Sequence, residues 1–211
     1  MYRIIQKSNK APVMIEYSPM KRSIMYTPFS SEKEYSMDDA VELRVQFPTT
    51  LFLKFPYDSR LYVAFAPTPV KSIDDMLYCP TLPNLYYRWN ICGCECINLV
   101  EGIKTFWGVG FNEDGSVGHN AMSVVMGVQR LLPQFGLRAL QKWEEFSLET
   151  YIERLIKYST NKRPFWMFAT GRVENEIDIE EIKKVKEEIK MTNRFIFDAE
   201  YRGNPICKGA L

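Results

Sequence analysis

An α+β fold is predicted by three features of the 211-residue chain. Strand-like runs crowd its first half, helical periodicities occupy its second half, and proline-rich or polar turn formers separate the runs. Strands gathered ahead of helices read as an antiparallel meander with the helices following it. The length suits one sizeable core and is short for two full domains.

The first segment, residues 1–39, predicts strands at Tyr2 to Gln6, Ala11 to Tyr17 and Arg22 to Thr27. Ser8-Asn9-Lys10 and Ser18-Pro19-Met20-Lys21 supply the turns between them, and the polar stretch from Thr27 to Ser36 is a loop. The main segment, residues 40–160, opens on the clearest pattern in the chain. Val41, Leu43, Val45 and Phe47 alternate with Glu42, Arg44 and Gln46, the period of two of a half-buried strand. Leu51 to Phe55 and Leu61 to Phe65 continue the meander, and Pro67 and Pro69 stop it because proline cannot donate to a ladder.

Gly102 to Phe111 predicts an aromatic strand, and Asn112-Glu113-Asp114-Gly115 a turn. Asn120 predicts the cap of a helix over Ala121 to Leu132, broken by Pro133. Ser147 heads a second helix, with Leu148, Tyr151, Ile152, Leu155 and Ile156 on one face. The last segment, residues 161–211, holds an irregular linker, a charged helix from about Ile177 to Lys190, a strand at Arg194 to Phe197 and a tail. The helix carries a narrow apolar stripe of Ile182, Val185 and Ile189.

Composition excludes several classes of function. With 27 basic and 26 acidic residues the net charge is +1, so no global field favours a phosphate backbone, and nucleic acid is not an expected partner. No stretch approaches the ~20 apolar residues that span a bilayer. Met1 to Lys7 lacks the apolar run of a signal peptide, so a cytoplasmic location is expected. Five cysteines, an odd number, read as reduced thiols and not as a disulfide framework.

Four of those cysteines fall between Cys79 and Cys96, beside Pro83-Asn84 and the aromatic run Tyr86, Tyr87 and Trp89. Three chemistries compete there. A nucleophilic thiolate needs exposure and a donor for a developing oxyanion, which Cys92 with Asn84 meets in outline. Cys79, Cys92, Cys94 and Cys96 could instead hold zinc, although Cys-x-Cys-x-Cys is not the usual knuckle spacing. Alternatively Cys92, Cys94 and Cys96 alternate along a strand toward one buried face, as small hydrophobes.

Leu82-Pro83-Asn84, followed eight positions after the asparagine by Cys92, resembles the His-Pro-Asn tripeptide and active-site cysteine of ubiquitin-conjugating enzymes. The wider run Met76-Leu77-Tyr78-Cys79-Pro80-Thr81-Leu82-Pro83-Asn84-Leu85-Tyr86, leading into Ile91-Cys92-Gly93, is similar to prokaryotic ubiquitin-conjugating family D, which includes the B proteins of PRTRC plasmid systems. The resemblance covers roughly residues 40–160 and is firmest over 76–93. It implies a ubiquitin-conjugating-like meander followed by helices, with N-terminal strands and a C-terminal helical extension. It further implies that Cys92 accepts a ubiquitin-like protein as a thioester from a ThiF-like adenylating enzyme. Asn84 would orient the loop or polarise the thioester carbonyl, and no cofactor is implied. Leu82 stands where the eukaryotic family has histidine, Gly93 where leucine is usual, and Asn90 in place of the turn glycine.

Other residues are weaker candidates. Asp74 and Asp75 could orient an incoming lysine, or be solvated loop residues. Tyr86, Tyr87 and Trp89 could form a binding surface. His119, the single histidine, lies in a polar Gly-rich loop and could pair with Cys92 as a thiol hydrolase dyad, or sit in an exposed turn. Gly108-Val109-Gly110 lacks the third glycine and the lysine of a phosphate loop. Two rivals to the thioester carrier stand: a non-catalytic member of the same fold, serving as an interaction subunit in a plasmid or phage assembly, and a zinc-stabilised binding module.

Overall fold

The six strands expected before residue 67 form, but they pair in a different order from a simple meander. The computed structural model describes residues 1–7, 12–28, 40–108, 110–112, 116–172, 178–192 and 195–203, with backbone alone at 12, 87, 93, 94 and 116. In chain order the strands are β1 (Tyr2–Lys7), β2 (Pro12–Tyr17), β3 (Met20–Tyr26), β4 (Val41–Phe47), β5 (Thr49–Leu53), β6 (Arg60–Ala66), β7 (Met76–Tyr78), β8 (Asn90–Glu95) and β9 (Lys162–Pro164). The main sheet runs β1-β2-β5-β6-β7-β9, with β8 also on β6, and β3 with β4 forms a separate pair. All of these strand pairings are antiparallel, so the chain is an α+β protein with a largely antiparallel sheet.

The expected adjacency of β4 and β5 is corrected. Only Pro48 separates them, and one residue cannot reverse a chain into a hairpin, whose shortest common loop has two. The chain instead steps from one sheet to the other. β4 pairs with β3 from Phe47↔Met20 to Val41↔Tyr26, and β5 pairs with β2. Flanked by β2 and β6, every residue of β5 is buried.

The largest correction concerns Gly102 to Phe111, where the aromatic run builds a helix. In α1 (Leu99–Gly108), Leu99, Gly102, Ile103 and Phe106 are buried at i, i+3, i+4 and i+7. Asn98 caps it, its Oδ1 accepting the Glu101 amide at 3.0 Å. Asn120 lies inside α2 (Ser116–Met126), which ends at Gly127 with φ of 62°. An unexpected helix, α3 (Phe135–Glu145), follows Pro133, because proline ahead of a helix disrupts nothing. α4 (Leu148–Tyr158) starts as expected, with Ser147 Oγ accepting the Thr150 amide at 3.1 Å.

The stretch expected to be irregular forms β9 and α5 (Phe165–Thr170), which is followed by Gly171 at φ 70°. Asp178 caps α6 (Ile179–Met191). Within Arg194 to Phe197 the described residues form no named strand, although the Ile196 amide donates to the Ile5 carbonyl at 2.9 Å. The turns expected at Ser8-Asn9-Lys10 and Asn112-Glu113-Asp114-Gly115, most of the loop after Thr27 and the tail beyond 203 lie wholly or mainly outside the described residues.

The core is strongly aromatic. Phe47 meets Phe65, Trp107 and Trp143 edge-on at 5.1–5.9 Å, and Trp143 stacks on Tyr151 at 4.9 Å. The segments at either end are built into the same sheet. Arg3, 5 % exposed, donates to fully buried Glu16 at 2.7 Å, and Glu16 also accepts the Val70 amide at 2.9 Å and the Tyr201 hydroxyl. Tyr2 and Arg202 exchange two backbone bonds of 3.0 and 2.7 Å. A buried ion pair needs its remaining donors and acceptors satisfied in this way. Among the described residues no helix is long and apolar enough to cross a membrane.

Candidate functional site

From β7 the chain enters an arch over residues 79–86 that is buried nearly to its end. Cys79, Thr81, Leu82 and Leu85 are inaccessible to solvent, and Tyr86 emerges with 43 % exposure. α2 forms one wall. A Cβ on Gly118 would lie 1.8 Å from the Leu82 carbonyl oxygen, so the helix approaches this closely only because residue 118 is glycine. Thr81 Oγ1 shares a 2.8 Å hydrogen bond with the Tyr151 hydroxyl, and the Cys79 amide donates to the Asn161 carbonyl at 2.9 Å.

The arch then folds back on itself. The Cys92 amide donates to the Asn84 carbonyl at 2.8 Å, Leu85 bridges Ile91, and the Tyr86 amide donates to the Asn90 carbonyl at 3.0 Å. Residues 84–86 therefore run antiparallel to 90–92 around a tight reversal. Asn84, Arg88 and Trp89 have φ of 63°, 74° and 66°, a left-handed conformation that costs a non-glycine residue about 1–2 kcal/mol. Asparagine tolerates it best. Trp89 holds the reversal in place: its Nε1 donates to Asn161 Oδ1 at 3.2 Å, its ring packs 5.8 Å from Phe168, and the Arg163 guanidinium lies 4.5 Å over it.

Trp89, expected on a binding surface, is thus fully buried as the anchor of the loop. The Tyr87 side chain lies outside the described residues. Asp74 and Asp75 precede β7 and have local partners. Asp74 pairs with Lys186 at 2.5 Å, while Asp75 accepts the Lys71 and Ser72 amides at 2.6 and 3.0 Å and closes a turn.

Cys92 sits early in β8 and is partly exposed. Strand alternation puts 84, 86, 90 and 92 on one side of the reversal, and Tyr86 and Cys92 are diagonal neighbours there. The Tyr86 hydroxyl lies 2.6 Å from Cys92 Sγ. Asn84 is 9 % exposed, and its amide Oδ1 has no hydrogen-bond partner among the described residues. A buried acceptor without a donor is costly, about 1–3 kcal/mol. Asn84 therefore touches Cys92 through its backbone, and the residue whose side chain reaches the sulfur is Tyr86. The sequence offers one signal for this: the same eight-residue separation that pairs 84 with 92 also places 86 on the face of 92.

The other described thiols are structural. Cys79 contacts the Pro80 carbonyl at 3.7 Å, and burial pushes its thiol far up from the usual range. Cys96 packs on Gly102, donates to the Ser59 carbonyl at 3.4 Å and is also raised by burial. Both behave as small hydrophobes. The zinc set of Cys79, Cys92, Cys94 and Cys96 does not assemble among the described residues, where no three His, Cys, Asp or Glu residues gather, and the Cys94 side chain lies outside them. His119, expected in a loop, belongs to α2 with its ring edge-on to Phe135 at 5.8 Å. The group found against the Cys92 sulfur is Tyr86, not this histidine. Comparison with known proteins finds no matching family model, curated protein or solved structure.

Proposed function

We propose that the protein carries a ubiquitin-like modifier as a thioester on Cys92, using a ubiquitin-conjugating-like fold in a cytoplasmic, bacterial or mobile-element pathway of the PRTRC type. The observation that supports this reading is the convergence of Leu82-Pro83-Asn84 and Cys92, joined by the 2.8 Å bond from the Cys92 amide to the Asn84 carbonyl. Three left-handed residues between positions 84 and 89 add to it, because backbone strain of this kind concentrates at functional sites.

The chemistry is nucleophilic acyl exchange. The Cys92 thiolate attacks the carbonyl of a modifier thioester on a ThiF-like adenylating enzyme. A new S–C bond forms, the donor S–C bond breaks, and the donor leaves as a thiolate. An acceptor amine then attacks, a C–N bond forms, Cys92 leaves as thiolate, and the amine gives up a proton to solvent. Asn84 holds the loop in register with Cys92 through its backbone carbonyl.

A charging reaction with candidate adenylating enzyme, modifier and ATP tests the proposal on non-reducing gels. A thiol-sensitive adduct formed by wild type and Cys94→Ser but lost in Cys92→Ser is expected. No adduct with a demonstrably active enzyme would turn the reading to a non-catalytic interaction subunit. Ile97 at 86 % and Leu131 at 97 % exposure give that second reading its support, since exposed apolar side chains suit a protein interface.

A further inference from the structure

We infer that Tyr86 is the catalytic hydrogen-bond donor of the Cys92 site, the part that the resemblance would give to the Asn84 side chain. The inference rests on the thioester-carrier reading for its biological meaning, but its geometry stands without it. The two candidate donors occupy different places. Asn84 is nine-tenths buried, its carbonyl is taken by the Cys92 amide, and its Oδ1 accepts nothing among the described residues. Tyr86 is 43 % exposed, and its hydroxyl lies 2.6 Å from Sγ.

Either atom of that contact can donate while the sulfur is protonated. Once Cys92 has lost its proton to solvent, the sulfur has no hydrogen and the phenol must donate. Charge-assisted bonds of this type are roughly twice as strong as neutral ones. Tyr86 keeps its own hydrogen throughout. When the sulfur attacks a thioester carbonyl, negative charge moves from sulfur to the carbonyl oxygen. The phenol, on the solvent side of the arch, then follows that charge as the oxyanion donor. As the donor thiolate departs, the carbonyl reforms and the phenol is left beside the new thioester.

Acylation of Cys92 in the full chain by a small aryl thioester, followed by mass spectrometry, tests this without any partner protein, and alkylation by iodoacetamide, which develops no oxyanion, is the control. Tyr86→Phe keeps the ring and removes the hydroxyl. The expected result is a ratio of acylation to alkylation rates about tenfold below wild type. Asn84→Ala, assayed in parallel, is expected to change the melting temperature more than that ratio. An unchanged or raised ratio in Tyr86→Phe overturns the inference. A lowered ratio together with a failed charging reaction leaves the inference standing and removes the carrier reading alone.

Discussion

Gly118→Ala probes how tightly α2 supports the arch. The added methyl would lie 1.8 Å from the Leu82 carbonyl oxygen and 3.2 Å from Leu85 Cβ. Reaching an ordinary contact requires helix and arch to separate by roughly 1.5 Å. The obstacle is backbone, so no rotamer change relieves it. Overpacking of this kind costs about 1–3 kcal/mol. Displacing the arch also strains the Asn84 to Cys92 backbone bond, a further 1 kcal/mol or about that. The gain in helix propensity from glycine to alanine offsets at most about 1 kcal/mol. A net loss of about 2 kcal/mol lowers the melting temperature of a chain this long by about 4–8 °C. Gly108→Ala is the control, because nothing lies within 4 Å of its added methyl. Scanning calorimetry of both variants, paired with the Cys92 alkylation rate, is the assay. A Gly118→Ala melting temperature within about 2 °C of wild type would refute the argument that this glycine sets the position of the arch.

Trp89→Ala is expected to cost about 3–5 kcal/mol in urea unfolding, since the ring is fully buried against Phe168 and Arg163; a loss under about 1 kcal/mol would contradict its anchoring role. Tyr151→Phe removes one partner of the buried Thr81 hydroxyl and should cost about 1–3 kcal/mol, with equal stability in the two proteins counting against that bond. The Asp58 carboxyl is held well below the usual carboxylate range, first by its hydrogen bond with Arg60. Its contribution is therefore present above the unfolded carboxylate range and is lost as pH falls through the lower folded value. Asp58→Asn should accordingly flatten the acid side of the stability curve. In alkali the sign reverses: burial pushes the Tyr62 hydroxyl up to about 12, above an unfolded tyrosine. Stability should fall as pH rises past about 10, and Tyr62→Phe should lose less of it there.

The sheet was legible where one strand face alternated, as at Val41–Phe47, and α4 was legible from Ser147 and its apolar spacing. α1 was not, because Phe106, Trp107 and Phe111 weigh toward a strand while the burial pattern of Leu99, Gly102, Ile103 and Phe106 is helical. Asn98 was the overlooked cap. Pairing order depended on Pro48, whose effect lies in what it forbids. At the site, the separation of Asn84 from Cys92 was readable along the chain. The role of Tyr86 was not, since it depends on a reversal fixed by Trp89. That anchor relies in turn on Asn161, Arg163 and Phe168, whose contribution no local pattern reveals. Gly118 was hidden for the same reason: its lack of a side chain matters only where Leu82 arrives.

The Arg3, Glu16 and Tyr201 cluster has a bearing on synthesis. A chain emerging from the ribosome presents Arg3 and Glu16 first, Val70 later, and the tyrosine that completes their hydrogen bonding only 185 positions after Glu16. The Cys92 arch needs nothing beyond α5. Translation therefore delivers the complete set of parts for the thiol loop while β1 still lacks its last partners. A pause or truncation between residues 172 and 195 should yield a chain whose loop can form but whose first strand remains unlatched.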